Sequence, residues 1–111
     1  MFIYKAADKL VFNVLDRIKY GYLEITSFDG NILKFGNPQD SLKANLMIKK
    51  PNFTYDLIKR GSIGFAECYM RDEFETDDLP NLIELTARNI KNINKFSGLL
   101  DFPIINFLKN K

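Results

Sequence analysis

Histidine and tryptophan are absent from the 111 residues, and there is a single cysteine, Cys68. Without histidine the chain lacks the commonest general base near neutral pH and the commonest metal ligand. Nucleophile systems of the Ser-His-Asp or Cys-His type are excluded on inventory alone. One cysteine forms no internal disulfide, so nothing points to an oxidising compartment, and one thiolate does not build a zinc site. No run of about 18 apolar residues is present to cross a bilayer. The opening Met1-Phe2-Ile3-Tyr4-Lys5 lacks the basic-then-apolar order of a secretory signal. A cytoplasmic location is the default expectation. A phosphate-cradling loop is missing too: Gly61-Ser62-Ile63-Gly64 has two glycines but neither the preceding strand nor the crossover unit such a loop needs. No catalytic residue, cofactor or metal is expected.

What is there suits one folded domain. Hydrophobic residues make up 46% and charged residues 27%, with ten Phe and five Tyr. Disorder needs fewer apolar residues and more net charge. The formal net charge of +2 is too small to imply nucleic acid. Its distribution says more. Residues 1–60 hold ten basic and six acidic groups, residues 61–80 one and six, and residues 81–111 five and two. Three solvated faces account for this pattern. Two basic surfaces that meet anionic phospholipid headgroups are the alternative, which would place the protein peripherally at the inner membrane face.

Glu67, Asp72, Glu73, Glu75, Asp77 and Asp78 form the acidic cluster. Their spacing does not match a calcium loop, and a solvated loop leading into a helix N-terminus explains them. Cys68 has no basic neighbour in sequence to lower its pKa and reads as a buried structural thiol.

Periodicity supplies the element order. Leu10, Val11, Val14, Leu15 and Ile18 fall at helical spacing within Ala7–Tyr20, and Gly21 supplies a stop. Tyr22–Thr26, Asn31–Phe35 and Lys43–Lys49 alternate like strands, and Asp29-Gly30 suits a tight hairpin turn between the first two. Asn52 is placed to cap a short helix over Phe53–Arg60. Ser62-Ile63-Gly64 then reads as a turn, Phe65–Arg71 as a second short helix and Glu73–Glu75 as a brief strand. Asp77-Asp78 before Leu79-Pro80 marks a helix start. That helix reaches about Asn94, with Leu82, Ile83, Thr86, Ile90 and Ile93 as its stripe. The expected fold is α+β: an N-terminal helix, a small antiparallel sheet with a β-hairpin, then helices packed on one face. Residues 1–94 form the domain and residues 95–111 an apolar tail.

The segment Gly61-Ser62-Ile63-Gly64-Phe65-Ala66-Glu67-Cys68-Tyr69-Met70-Arg71-Asp72-Glu73-Phe74 resembles the stretch Gly-Asp-x-Gly-x-Gly-Glu-Ala-Tyr-Met-x-Gly-x-Trp of bacterial cyclopropane-fatty-acyl-phospholipid synthases. Arg17 to Gly21, Leu23, Ile25, Asp29-Gly30 and Phe35-Gly36 are similar to that family's opening helix and hairpin. Lys49 to Phe53, Asp78-Leu79 and Ala87-Arg88-Asn89 agree in order, so the likeness spans about residues 10–90. Ala66 and Asp72 stand where that pattern has Gly, and Phe74 where it has Trp. If that Gly sits at positive φ, Asp72 is strained.

The resemblance implies a non-catalytic N-terminal accessory domain with a fold similar to sterol carrier domains and an apolar groove between sheet and helices. The S-adenosylmethionine-dependent methyltransferase half of that family, with its cofactor loop and bicarbonate site, has no counterpart here. The implied partners are a phospholipid or acyl chain, or a separate methyltransferase to dock. Phe65, Tyr69, Met70 and Phe74 are the groove candidates, since Met and aromatic side chains make adaptable apolar walls. A tight turn and core packing use Gly64, Tyr69 and Met70 equally well, so both readings stay open. A truncated or split-gene fragment is the alternative. Its apolar tail would then fold back, lie on a membrane, or form a homodimer through Phe102, Ile105, Phe107 and Leu108.

Overall fold

The computed structural model describes residues 2–97, with side chains through Ile90. Helix α1 (Phe2–Leu15) leads into strands β1 (Tyr22–Thr26), β2 (Ile32–Gly36) and β3 (Lys43–Ile48). Helix α2 (Phe53–Met70), a short strand β4 (Phe74–Glu75) and helix α3 (Leu79–Ser97) follow. The architecture is α+β, with three helices packed against a four-stranded sheet of order β2-β1-β3-β4.

The strand alternation appears as expected. Leu23, Ile25, Phe35, Ala44, Leu46 and Ile48 are buried on the inner face, while Glu24, Lys34, Asn45 and Met47 are half-buried or exposed on the outer one. A period of two produces this sidedness. The β1–β2 hairpin closes through reciprocal bonds: the Ser27 N–H donates to the Asn31 carbonyl, and the Asn31 N–H donates to the Ser27 hydroxyl. Gly30 takes φ 90° in the turn.

The sheet is mixed rather than wholly antiparallel. β1 runs antiparallel to β2 and parallel to β3, and β3 runs antiparallel to β4. The chain leaves β2 at Gly36, passes around the start of β1 and enters β3 on its far side. Backbone bonds hold that passage against Gly21: Asn37 N–H donates to the Gly21 carbonyl, and Tyr22 N–H to the Leu42 carbonyl. The Asp40 carboxylate accepts from the Gly21 and Leu42 N–H groups, both at 2.9 Å. A Cβ on Gly36, which sits at φ 87°, would lie 2.2 Å from the Gly21 carbonyl oxygen. Only glycine permits so close a crossing. A hairpin-by-hairpin reading of three alternating runs misses it, because the passage is written in two glycines and one aspartate, not in periodicity.

The helices depart from expectation in extent. α1 begins at Phe2, not Ala7, and ends at Leu15, not Tyr20. Its exit tightens into i→i+3 bonds, Arg17 to Val14 and Ile18 to Leu15, which turn Ile18 into the core. The expected pair of short helices is present within α2: two helical runs meet at Gly61, whose φ 56° and ψ −130° are not helical, and the second run begins at Ser62 rather than Phe65. Ser62, Ile63 and Gly64 are helical, not a turn. The Asn52 side chain caps no helix N–H; its amide donates to Asp56 and Glu73 instead. α3 starts as expected, with the Asp78 carboxylate accepting from the Asn81 N–H at 3.0 Å, and runs on to Ser97. It thereby takes in the first residues assigned to the tail.

The core is aromatic at one end. Phe53 and Phe74 are each 1% exposed, with ring centroids 5.2 Å apart, and Phe65 and Tyr69 approach Phe74 at 4.9 and 5.6 Å. Burying one such ring contributes about 1.5–3 kcal/mol. Phe74 therefore anchors the two-residue strand β4, which its two pairs with β3 alone would hold weakly.

Candidate functional site

An apolar cavity of about 320 Å³ lies between the sheet and the three helices. Leu23, Ile25, Leu46 and Ile48 form its floor. Val11, Val14 and Leu15 of α1 make one wall, and Leu57, Gly61 and Phe65 of α2 another. Leu82, Ile83, Thr86 and Ile90 of α3 complete it. The volume is at the lower end of ligand sites, about 300–1,000 Å³. The local causes are visible in sequence. The kink at Gly61 turns α2 so that Leu57 and Phe65 face the same space. Ile83 stands at the rim, 51% exposed.

No ionisable side chain is among the described residues lining the cavity. Three hydroxyl residues reach it. Thr54, 1% exposed, donates to the Asp8 carboxylate, and Thr86 donates to the Leu82 carbonyl at 2.9 Å. The Ser62 hydroxyl makes no hydrogen bond among the described residues. The lining can hold apolar matter and offers almost no polar directionality.

Of the four residues singled out for the groove, Phe65 lines the cavity. Phe74 lies beneath it as a core residue. Tyr69 and Met70 are 47% and 75% exposed and stand outside the lining. Phe102, Ile105, Phe107 and Leu108 lie outside the described residues. Of the expected stripe of α3, Leu82, Ile83, Thr86 and Ile90 face the cavity, with Ile83 at its exposed rim, and the buried face extends beyond the stripe to Leu85 and the fully buried Asn89.

Asn89 was invisible to apolar periodicity. Its side-chain oxygen accepts from the Lys19 and Tyr20 N–H groups at 2.8 and 3.0 Å. Its amide donates to the Tyr20 and Leu85 carbonyls, both at 2.8 Å. Every polar position of the amide group is used, as burial demands. The bonds fix α3 to the bend between α1 and β1.

A second cluster joins Asp56, Cys68 and Glu73, whose ligand atoms lie within 4.8 Å of one another. Arg71 already serves both carboxylates, 2.9 Å from Glu73 and 3.6 Å from Asp56, and the Asn52 amide bridges the same pair. Burial pushes the Cys68 thiol up to about 12, and the neighbouring Glu73 and Asp56 carboxylates add to it. The thiol is therefore neutral, as a structural cysteine should be. Arg71 and Asn52 hold the Glu73 carboxyl below the ordinary range, against the opposing effect of burial. The network ties the start of α2 to its end and to the entry of β4.

The remaining acidic residues are also mostly engaged. Lys49 pairs with Asp72 and Glu75 at 2.9 and 3.2 Å, and Arg60 pairs with Glu67. Asp72 has φ 58°, the one non-glycine residue at positive φ among those described.

No family model, curated protein or solved structure matches the chain significantly. No described helix is long and apolar enough to cross a membrane.

Proposed function

We propose that this domain is a non-catalytic module that holds an acyl chain, free or as part of a phospholipid, between its sheet and its helices. One observation carries the reading: a cavity of about 320 Å³ bounded mainly by aliphatic and aromatic side chains, with no ionisable group among the described residues of its wall. Such a lining stabilises a hydrocarbon by removing it from water, about 0.8 kcal/mol for each buried CH₂. It supplies no acid, base or nucleophile to transform one. The Ser62 hydroxyl is the group on the wall free to meet a polar end. The likeness to the N-terminal domain of cyclopropane-fatty-acyl-phospholipid synthases supports the same ligand class, with a separate methyltransferase as the partner that acts on the chain presented.

A fluorescent long-chain fatty acid tests this. Saturable binding is expected, weakened at least tenfold by Phe65→Asp or Leu57→Asp and unchanged by Met70→Ala, which lies off the cavity. Absence of saturable binding, or equal loss with Met70→Ala, defeats the proposal. A docking role has its own observation: Ile63 and Met70, 55% and 75% exposed, stand seven residues apart on the outer side of α2. A dimer by gel filtration that Ile63→Asp dissolves would favour pairing through that face.

A further inference from the structure

We infer that the first half of α1 is a docking surface for anionic phospholipid bilayers, at which Phe2 and Ile3 enter the headgroup layer while Lys5, Lys9 and Lys59 meet its charge. The surface is turned away from the cavity, and the inference does not rest on what the cavity holds.

The periodicity of α1 builds this face. Ala7, Val11 and Val14 are buried on the inner side of the helix. At 3.6 residues per turn the opposite side carries Phe2, Lys5, Ala6 and Lys9, all exposed. Phe2 is 89% exposed, and Ile3 beside it 49%. Phe2 to Lys9 is about 10 Å of helix, so the ring and both ammonium groups meet one flat surface together. Lys59 joins them from α2. Its Nζ lies 5.7 Å from the centre of the Tyr55 ring, which packs on Tyr4 at 5.6 Å. This half-buried tyrosine pair ties the start of α1 to α2 and adds amphipathic rings of the kind that settle at a membrane–water boundary.

The positive charge here is uncompensated. Among the described residues Lys5, Lys9 and Lys59 make no ion pair, whereas Lys49, Arg60, Arg71 and Arg88 all do. No acidic residue lies in the first turn of α1. Asp8 is half-buried and its carboxylate accepts from the Thr54 hydroxyl. The next acid on the helix, Asp16, is about 10 Å beyond Lys9. Free lysines beside a protruding apolar tip match an anionic bilayer: the headgroups attract the lysines, and the tip adds apolar burial at the same place. A protein partner fits less well. Two apolar side chains at one end of a helix fall short of the ~800 Å² that each side of a stable protein interface buries.

Co-sedimentation of the full chain with phosphatidylcholine vesicles, with and without phosphatidylserine, tests this. Binding to the anionic vesicles is expected at low salt, roughly tenfold or more weaker to the neutral ones, and fading as salt screens the lysines. Lys5→Glu with Lys9→Glu should weaken it roughly tenfold or more, and Phe2→Ala roughly threefold or more. Lys34→Glu with Lys43→Glu makes the same change of net charge on the outer face of the sheet and should alter binding less than about twofold. Equal loss in the two double variants would mean net charge rather than this face. That result, undiminished binding by the α1 double variant, equal binding to neutral vesicles, or no binding at low salt would each overturn the inference.

A fluorophore provides a readout that leaves the surface charge intact. Attached through Ala6→Cys, on the same face, a polarity-sensitive label should shift to the blue with anionic vesicles; attached through Ile32→Cys, on the outer face of the sheet, it should not. The buried Cys68 thiol does not compete for it. A shift at position 32 instead of position 6 sinks the inference. So does a shift at position 6 that needs only more protein and no vesicles, which means a second copy. A chain that binds these vesicles but no fatty acid upholds this inference and defeats the acyl-chain reading; fatty-acid binding without vesicle binding does the reverse.

Discussion

Replacing Asn89 by Leu is the sharpest perturbation the fold offers. The side chain is 0% exposed and similar in size to Leu, so volume changes little. What changes is hydrogen bonding. Three bonds to another element disappear, two from backbone N–H groups of Lys19 and Tyr20 and one to the Tyr20 carbonyl. The bond to the Leu85 carbonyl is local to α3, and that carbonyl keeps its ordinary place in the helix. A group left buried and unsatisfied costs about 1–3 kcal/mol. Lys19 and Tyr20 have exposed side chains, so water reaches part of the freed backbone and the lower end of that range, about 1 kcal/mol for each of the three groups, applies. The expected loss is about 3–4 kcal/mol, a large fraction of the ~5–15 kcal/mol that holds a domain together. Urea denaturation with an unchanged slope reads it directly, and the melting midpoint should fall by roughly 12–32 °C at ~4–8 °C per kcal/mol. Asn89→Asp keeps both acceptor bonds but loses the donors and buries a charge, so it should also destabilise. A loss below about 1 kcal/mol for Asn89→Leu would show that the amide is not what ties α3 to the α1–β1 bend.

Gly64→Ala places a Cβ 2.4 Å from the Asp56 carbonyl oxygen; forcing the two halves of α2 apart should cost about 1–3 kcal/mol in chemical denaturation. Asp72→Gly should leave stability level or raise it by about 1 kcal/mol, because relief at φ 58° outweighs one exposed ion pair with Lys49; a clear loss contradicts this. Two carboxyls are held below their ordinary values: Glu73 by Arg71, and Asp40 by the Leu42 and Gly21 N–H groups. A lowered folded pKa contributes stability that is complete above the unfolded values of 4.5 and 3.8 and is lost as pH falls through the folded ones. The urea midpoint should therefore drop from about pH 5 downward, less steeply in Glu73→Gln. Cys68, buried and pushed up to about 12, should resist alkylation in native protein and react only at the rate of unfolding; fast labelling at neutral pH would refute its placement.

Alternation and turn chemistry were enough to foresee the three long strands, the Asp29-Gly30 hairpin and the start of α3. Each is a local signal with a local cause. The parallel pairing of β1 with β3 was not legible, since it depends on what the 37–42 passage packs against, namely Gly21. The early start of the second run of α2 was hidden because Gly61 and Gly64 look alike in sequence. One breaks the helix with positive φ, and the other lets two turns approach. The inward face of α3 was read too narrowly: Ile83 reaches only the rim of the cavity, and Leu85 and Asn89 were overlooked, the latter because its burial is stabilised by partners about seventy positions away. For the site, an apolar space between sheet and helices was foreseen, and Phe65 belongs to it. Tyr69, one turn beyond Phe65, shares its side of α2 and packs on Phe74 but lies past the end of the cavity, while Met70 turns outward.

The position of β1 has a bearing on how the chain emerges from the ribosome. Of the two strands with a neighbour on each side, β1 is made first, and its second neighbour, β3, ends only at Ile48. At ~5–20 residues per second, translating the 22 residues from Thr26 to Ile48 takes about one to four seconds. Throughout that interval one edge of an apolar strand is open to any extended polypeptide nearby. Slowing elongation across residues 37–42 should lengthen that window and increase insoluble product, whereas slowing it after Ile48 should not.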